Sequence, residues 1–195
     1  MSRGDLFEVA DRQQGYFTAQ QAVECGIARS AFHYRLASGE WEREGRGIYR
    51  LVHYPVSEER PELVYWSLWS RSKEGIPQGV WSHETALDIH GLSDLMPEKM
   101  HMTVPSRFRR NVEIPDVLRI HYANIDPEAT EQRRGYRVTK PLKTILDVIE
   151  SGRVSEEHIV RAIRDGLASG KILRRHIAQS AATAELRRIM EAHAI

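Results

Sequence analysis

The sequence predicts an α+β protein, with an N-terminal winged helix-turn-helix domain followed by a mixed α/β C-terminal domain that has a small sheet and several helices. Three observations predict this class. Helical patterns and a hairpin pattern follow one another at the start, a polar stretch bounded by prolines comes next, and helical and alternating segments mix in the remainder. We therefore expect domains at residues 1–54 and 62–195, joined by a linker at 55–61.

Two short helices open the first domain. Residues 4–13 carry apolar side chains at helical spacing. The second helix, over 19–25, follows Thr18, a favoured N-cap residue, and Gln21 three positions later completes the capping-box pattern. Gly26 supplies the left-handed residue that commonly ends a helix.

A third helix and a hairpin complete the first domain. Over residues 28–38, apolar side chains including Phe32 recur every fourth position along one face. Residues 41–51 then alternate between apolar and polar around Arg46, which stands between two glycines, as is typical of a β-hairpin. Helix, short helix, helix and hairpin is the order of a winged helix-turn-helix, and any other small α+β domain is the alternative.

The second domain reads as intermixed helices and strands. The predicted helices lie at about 62–73, 83–90, 141–150, 155–169 and 173–192, and the predicted strands at 99–104, 117–122 and 136–138.

Charge and composition exclude several classes of protein. The chain has 28 Lys+Arg against 27 Asp+Glu and a net charge of +1, so DNA binding would have to be local, through a few arginines on one face. A single cysteine, Cys25, excludes an intrachain disulfide and favours a reducing, cytoplasmic location. The apolar runs are too short for a membrane span, and Met1–Asp5 lead into no apolar signal segment, so we expect neither secretion nor membrane insertion.

The third helix carries the candidate DNA-reading residues. In a helix-turn-helix this helix enters the major groove, where Arg bonds guanine and Ser, His and Tyr contact bases or phosphates. An arginine at a hairpin tip can enter a narrow minor groove. The predicted DNA-binding set is Thr18, Arg29, Ser30, His33, Tyr34 and Arg46. The alternatives are an ordinary solvated helix face and a plain surface turn.

Two basic stretches offer additional phosphate or partner contacts. The first comprises Arg107, Arg109 and Arg110, and the second comprises Arg137, Lys140 and Lys143. The second surrounds a strand-to-helix junction, where backbone N–H groups point outward. Solvated loops are the alternative for both stretches.

The sequence carries no recognised motif of a metal site or a catalytic site. Among the nine histidines, His83 and His90 share one face of a predicted helix, and His101 and His121 lie on predicted strands that can be neighbours. The set includes neither a metalloprotease-type pair nor a Cys/His group. The phosphate-loop, nucleophile-elbow and dinucleotide motifs do not occur. We predict no metal, no cofactor and no enzymatic activity; the rival is an enzyme with an unfamiliar site, for which Asp116 is the nearest start.

Three separated groups of motifs stand in order along the chain: Gly15–Ala22, Cys25–Ser30, Leu36, Gly39–Trp41 and Arg46–Arg50 in the first half, then Ala86–Asp94 with Met100–Pro105, then Val138–Asp147. Together they resemble AbiEi-type antitoxins of type IV toxin–antitoxin systems. The resemblance covers about residues 5–170. This chain departs from relatives that carry a nuclease domain, because its second half lacks the acidic nuclease residues.

The resemblance implies a non-enzymatic protein with two tasks. The winged helix would bind inverted repeats in double-stranded DNA at its own promoter, as a monomer or a dimer, and repress it. The second domain would counteract a nucleotidyltransferase-like toxin in phage defence by abortive infection, without a stable complex being assumed. The alternative is a stand-alone winged-helix regulator whose C-terminal domain binds a ligand or a partner.

Overall fold

A computed structural model of the chain describes residues 5–55, 60–94, 96–178 and 183–195. These residues form two compact units. The first unit comprises residues 1–79 and 132–137, and the second comprises 80–131 and 138–195, apart from the residues outside the described ranges. All elements given below lie within the described ranges.

The first unit begins with the elements of a winged helix. They are α1 (Leu6–Asp11), β1 (Tyr16–Thr18), α2 (Ala19–Glu24), a 3₁₀ turn (Arg29–Ala31), α3 (Phe32–Ala37), β2 (Trp41–Gly45) and β3 (Ile48–Leu51). The strands form an antiparallel sheet in the order β1-β3-β2, with Phe17 opposite Tyr49 and Glu42 opposite Arg50. This order of helices and strands confirms the predicted fold class. Strand β1 was not predicted, and the third predicted helix begins as a 3₁₀ turn.

A cluster of aromatic rings forms the core of the winged helix. Phe17 of β1 lies edge-on to Trp41 of β2 at 4.8 Å and stacks with Tyr49 of β3 at 5.8 Å, measured between ring centroids. Leu6 and Ala10 of α1 belong to the same buried cluster. Rings of this size bury much apolar area, so one small sheet can anchor all three helices.

Helix α4 (Pro61–Trp69) belongs to the first unit, together with the chain up to Gly79. Leu63 and Val64 on this helix are fully buried. The sequence places residues 62–79 in the second domain, and the structure corrects this placement. The expected linker at 55–61 falls largely on residues 56–59, which lie outside the described residues.

Residues 132–137 also belong to the first unit, although they are distant in sequence. Arg134 donates to the Asp11 carboxylate at 2.7 Å, and its backbone carbonyl accepts from the Gln14 side chain at 3.0 Å. Gly135 has a φ of +86°, and a Cβ there would lie 2.8 Å from the Val64 side chain. This close approach requires glycine.

The second unit combines a sheet with helices. Its elements are β4 (Val80–Trp81), α5 (His83–Ile89), β5 (Met100–Val104), β6 (Leu118–Tyr122), β7 (Thr130–Arg133), β8 (Tyr136–Thr139), α6 (Pro141–Ser151), α7 (Glu156–Ala168), α8 (Arg174–Ala178) and α9 (Ala184–Ala192). The last two residues of β7 and the first two residues of β8 lie within residues 132–137, which are counted with the first unit. The strand order is β6-β5-β4-β8-β7, with β5 parallel to β6 and antiparallel to β4.

The predicted helices and strands of the second unit agree with the observed ones, except that β4 and β7 were not predicted. Where one helix was predicted over 173–192, the structure describes α8 and α9, and residues 179–182 between them lie outside the described residues. Buried side chains from α5, α6, α7 and α9, including Leu87, Ile145, Ile163 and Leu186, form the core. Within the described residues, no helix is long and apolar enough to span a bilayer.

Candidate nucleic-acid interface

The segment from the 3₁₀ turn through α3 has one face open to solvent; we call it the recognition segment, residues 29–37. Arg29, Ser30, His33 and Tyr34 are all exposed, and Tyr34 retains 66% of its surface. Pairs four positions apart, such as Arg29 and His33, share a helix face. The four predicted DNA-reading side chains therefore lie together on the accessible side of this segment.

Phe32 holds the recognition segment on the sheet. Its ring lies edge-on to Trp41 at 5.2 Å and to Tyr49 at 5.6 Å, and only 8% of the residue is exposed. Because Phe32 stands between the exposed pairs at 29–30 and 33–34, burying its ring orients both pairs outward. The aromatic core thus sets the direction in which the candidate DNA contacts point.

Thr18 is the N-cap of α2, the helix that comes before the recognition segment. Its hydroxyl accepts from the backbone N–H of Gln21 at 3.2 Å, and the Gln21 side chain accepts from the Thr18 N–H at 2.8 Å, so the predicted capping box is present. Thr18 is 1% exposed. This burial corrects its inclusion among the DNA contacts: its role here is to start α2.

The β2–β3 hairpin forms the wing, with Arg46 and Gly47 at its turn. Gly47 has a φ of +67°, which suits glycine at a tight turn. The Arg46 carbonyl accepts from the Arg71 guanidinium at 2.9 Å, while the Arg46 side chain is exposed. Arg71 thus fixes the backbone of the turn and leaves the Arg46 guanidinium in solvent.

Acidic side chains limit the electrostatic attraction of this unit for DNA. Glu42 and Glu44 are exposed on the wing. Glu40 forms an ion pair with Arg35, and the hydrogen bond from that guanidinium lowers the pKa of the Glu40 carboxyl. An interface with few free positive charges depends on specific contacts more than on general attraction to phosphates.

The two basic stretches are placed differently. Arg107 and Arg109 are exposed in the loop between β5 and β6, and Arg110 is half-buried. Arg109 donates to the neighbouring Phe108 carbonyl at 2.8 Å. The first stretch is therefore mostly accessible, as a solvated loop would also be.

In the second stretch, Lys140 is the exposed member. Arg137 is half-buried and donates to the Pro77 carbonyl at 3.4 Å, within the first unit. Lys143 forms an ion pair with the buried Asp147, in the second unit. Two of these three cations are thus committed to contacts inside the protein, which weakens the case for a phosphate site there.

Sequence reasoning missed a group of three histidines in the second unit. His101 on β5 and His121 on β6 are neighbours, as the strand assignment allowed, and His83 at the start of α5 joins them. Burial, followed by the neighbouring imidazoles, lowers the pKa of His83 to about 3. Burial and the adjacent His101 lower the pKa of His121 to about 4. Both rings are neutral at pH 7, the form that binds metals.

The histidine signal was available only in part. Alternation placed His101 and His121 on two strands that could be neighbours, but no spacing rule connects them with His83, which lies 18 and 38 residues earlier, on a helix. The exposed basic residues, such as Arg29 and Arg46, could by contrast be named from the sequence alone.

Residues 5–52 match the model of a protein family described as "Transcriptional regulator, AbiEi antitoxin". The match covers the winged helix and confirms the resemblance for this part of the chain, as expected of the N-terminal domain of an AbiEi-type antitoxin. It supports a regulatory, antitoxin-related role. No curated protein matches the chain.

Proposed function

We propose that this protein is a DNA-binding antitoxin that represses its own promoter in a type IV toxin–antitoxin system. The observation that carries the proposal is the recognition segment, which presents Arg29, Ser30, His33 and Tyr34 to solvent on a winged helix within the matched residues 5–52.

On DNA, the recognition segment lies in the major groove. Arg29, at its N-terminal end, bonds a guanine, and Ser30 and His33 bond bases or phosphates. Tyr34 contacts the sugar–phosphate backbone of the DNA through its hydroxyl. Arg46 at the wing enters the adjacent minor groove, where a narrow groove has a more negative potential.

The operator would consist of inverted repeats. Two winged helices, as a dimer or as two monomers side by side, would then occupy half-sites about 34–36 Å apart, or a multiple of one helical turn.

Binding of the purified chain to a fluorescent duplex from its own upstream region, compared with a shuffled duplex, tests this proposal. We expect a preference of about 1,000-fold or more, with a salt dependence that reflects a few phosphate contacts. Arg46→Ala should weaken binding to the native duplex, because it removes the wing contact. Arg187→Ala is the control, since it removes the same charge from an exposed position on α9. Equal, weak binding to both duplexes would refute the autorepressor.

The antitoxin activity is assigned to the second unit. We propose that it counteracts a nucleotidyltransferase-like toxin, with no stable complex required. Expression of the full chain in cells arrested by such a toxin, encoded beside it, should restore growth. Arg29→Ala should rescue equally well, because it alters the DNA-binding face and leaves the second unit unchanged.

A second candidate is a stand-alone regulator with a ligand-binding domain. Two cavities in the second unit, of about 390 and 310 Å³, favour it. Failure of the full chain to rescue any adjacent toxin, together with specific operator binding, would select this alternative.

A further inference from the structure

The three histidines of the second unit come from three different elements. His83 begins α5, His101 lies on β5 and His121 lies on β6. In the parallel register, His101 is opposite Arg119 and Thr103 is opposite His121, so both histidines project from the same face of the sheet. We call His83, His101 and His121 the histidine cluster.

The histidine cluster brings three ring nitrogens close together, although the His83 and His121 rings stack with centroids 3.7 Å apart, so one of these rings must turn for both to bind a single ion. One nitrogen from each ring lies within 4.8 Å of the other two. His121 Nε2 is 3.3 Å from His101 Nδ1. Zinc with bonds of about 2.0–2.1 Å in tetrahedral geometry separates two nitrogen ligands by about 3.3 Å, so this pair already stands at a ligand-to-ligand spacing.

A buried carboxylate points to the same place. Glu84 is 9% exposed, and its Oε2 lies 2.7 Å from His101 Nδ1. That oxygen is paired with the His101 imidazole, in a contact that lacks the geometry of a regular hydrogen bond. A carboxylate held this close to His101 would also lie beside a cation bound at that ring and would stabilise it.

The surroundings also orient His83. Ser82 Oγ lies 2.9 Å from His83 Nδ1 and 2.7 Å from the Thr103 hydroxyl. A hydrogen bond at Nδ1 leaves Nε2 as the free ligand atom. His83 has a φ of +52°, a left-handed backbone that costs energy and that occurs repeatedly at functional sites.

Ions can reach the cluster from two sides. One cavity is lined by His83 and His121, and the other by His101 and Glu84. Arg153 lines both cavities. A metal held here would thus keep a position open to water or an anion, as sites with three protein ligands do.

We propose that the histidine cluster binds a divalent transition-metal ion, zinc by preference, through the imidazoles of His83, His101 and His121, with Glu84 as the nearby carboxylate. Neutral imidazole ligands suit zinc among the common cellular metals, and three nitrogen ligands disfavour calcium and magnesium, which take oxygen ligands. The proposal is independent of DNA binding, since it concerns the second unit alone.

Zinc binding by the full chain, free of any polyhistidine tag and stripped with EDTA, tests the proposal. Competition against a chromogenic zinc chelator should show one zinc per chain. Zinc at about 100 times its Kd should raise Tm by about 5–10 °C. The His83→Ala and His101→Ala variants should each weaken binding more than about 100-fold, and Glu84→Gln about 10–100-fold.

His176→Ala is the matched control, because His176 is exposed on α8 and outside the histidine cluster. It should leave zinc affinity unchanged. Nitrogen-15 spectra of the wild-type imidazoles, recorded with and without zinc, need no variant and should show shifts for three histidines. Absence of binding to the wild type, or equal binding by the cluster variants and wild type, would overturn the proposal.

Discussion

The buried Phe32 and the exposed Tyr34, two positions apart on α3, make a matched pair for testing how the recognition segment is held. Phe32 is 8% exposed and meets Trp41 and Tyr49 edge-on, whereas Tyr34 is 66% exposed. Phe32→Ala removes a ring from the core and leaves a cavity. Such changes cost about 3–5 kcal/mol. Because Phe32 lies at the edge of a small unit, we expect about 3–4 kcal/mol.

The two substitutions should differ in their effects on folding and on DNA binding. A loss of 3–4 kcal/mol lowers the folding equilibrium constant by a factor of roughly 150 to 900. Tyr34→Ala removes a solvated ring and should change the free energy of unfolding by less than about 0.5 kcal/mol. Operator binding should nevertheless be weaker in Tyr34→Ala, although this variant stays folded.

Hydrogen exchange followed by mass spectrometry resolves the two effects. Peptides covering residues 29–51 should lose protection in Phe32→Ala and retain it in Tyr34→Ala. Unchanged protection of these peptides in Phe32→Ala would refute the reasoning, because it would mean that the aromatic core does not hold the recognition segment.

Three further predictions concern stability. Thr18→Ala removes the α2 cap and should cost about 1 kcal/mol in urea denaturation, whereas no loss would mean that the cap contributes nothing. The hydrogen bond from Arg35 lowers the pKa of the Glu40 carboxyl, so its contribution to stability is full above the ordinary pKa of about 4.5 and declines as pH falls below it. Glu40→Gln should therefore destabilise the protein more at pH 7 than at pH 3, and an equal effect at both would contradict the pairing. Gly135→Ala, at φ +86° and against Val64, should cost more than about 1 kcal/mol, which thermal melting would show; a neutral effect would dispute this close packing.

The winged helix could be predicted from the sequence because its signals are local. The capping box at Thr18, the apolar face around Phe32 and the glycines beside Arg46 each report on a few neighbouring residues. Strand β1 was missed because its three residues are all buried and show no alternation. A strand of this kind is recognisable only by the β3 partner that it pairs with.

The division into units could not be predicted, because it depends on contacts between distant residues. The prolines at 55 and 61 suggest a linker, yet the buried face of α4 packs within the first unit. Residues 132–137 belong there through Arg134 and Asp11, more than a hundred positions apart. The histidine cluster could not be predicted from the sequence for the same reason, because only the tertiary structure brings His83 next to the two strands.

Equilibrium binding of wild type and Arg29→Ala to the native upstream duplex and to its shuffled counterpart tests the central claim most directly. If Arg29 reads a guanine, the variant should lose about 1–3 kcal/mol on the native duplex and almost nothing on the shuffled one. An equal loss on both duplexes would contradict the account, because it would make Arg29 a phosphate contact and leave the recognition segment without its reader of sequence.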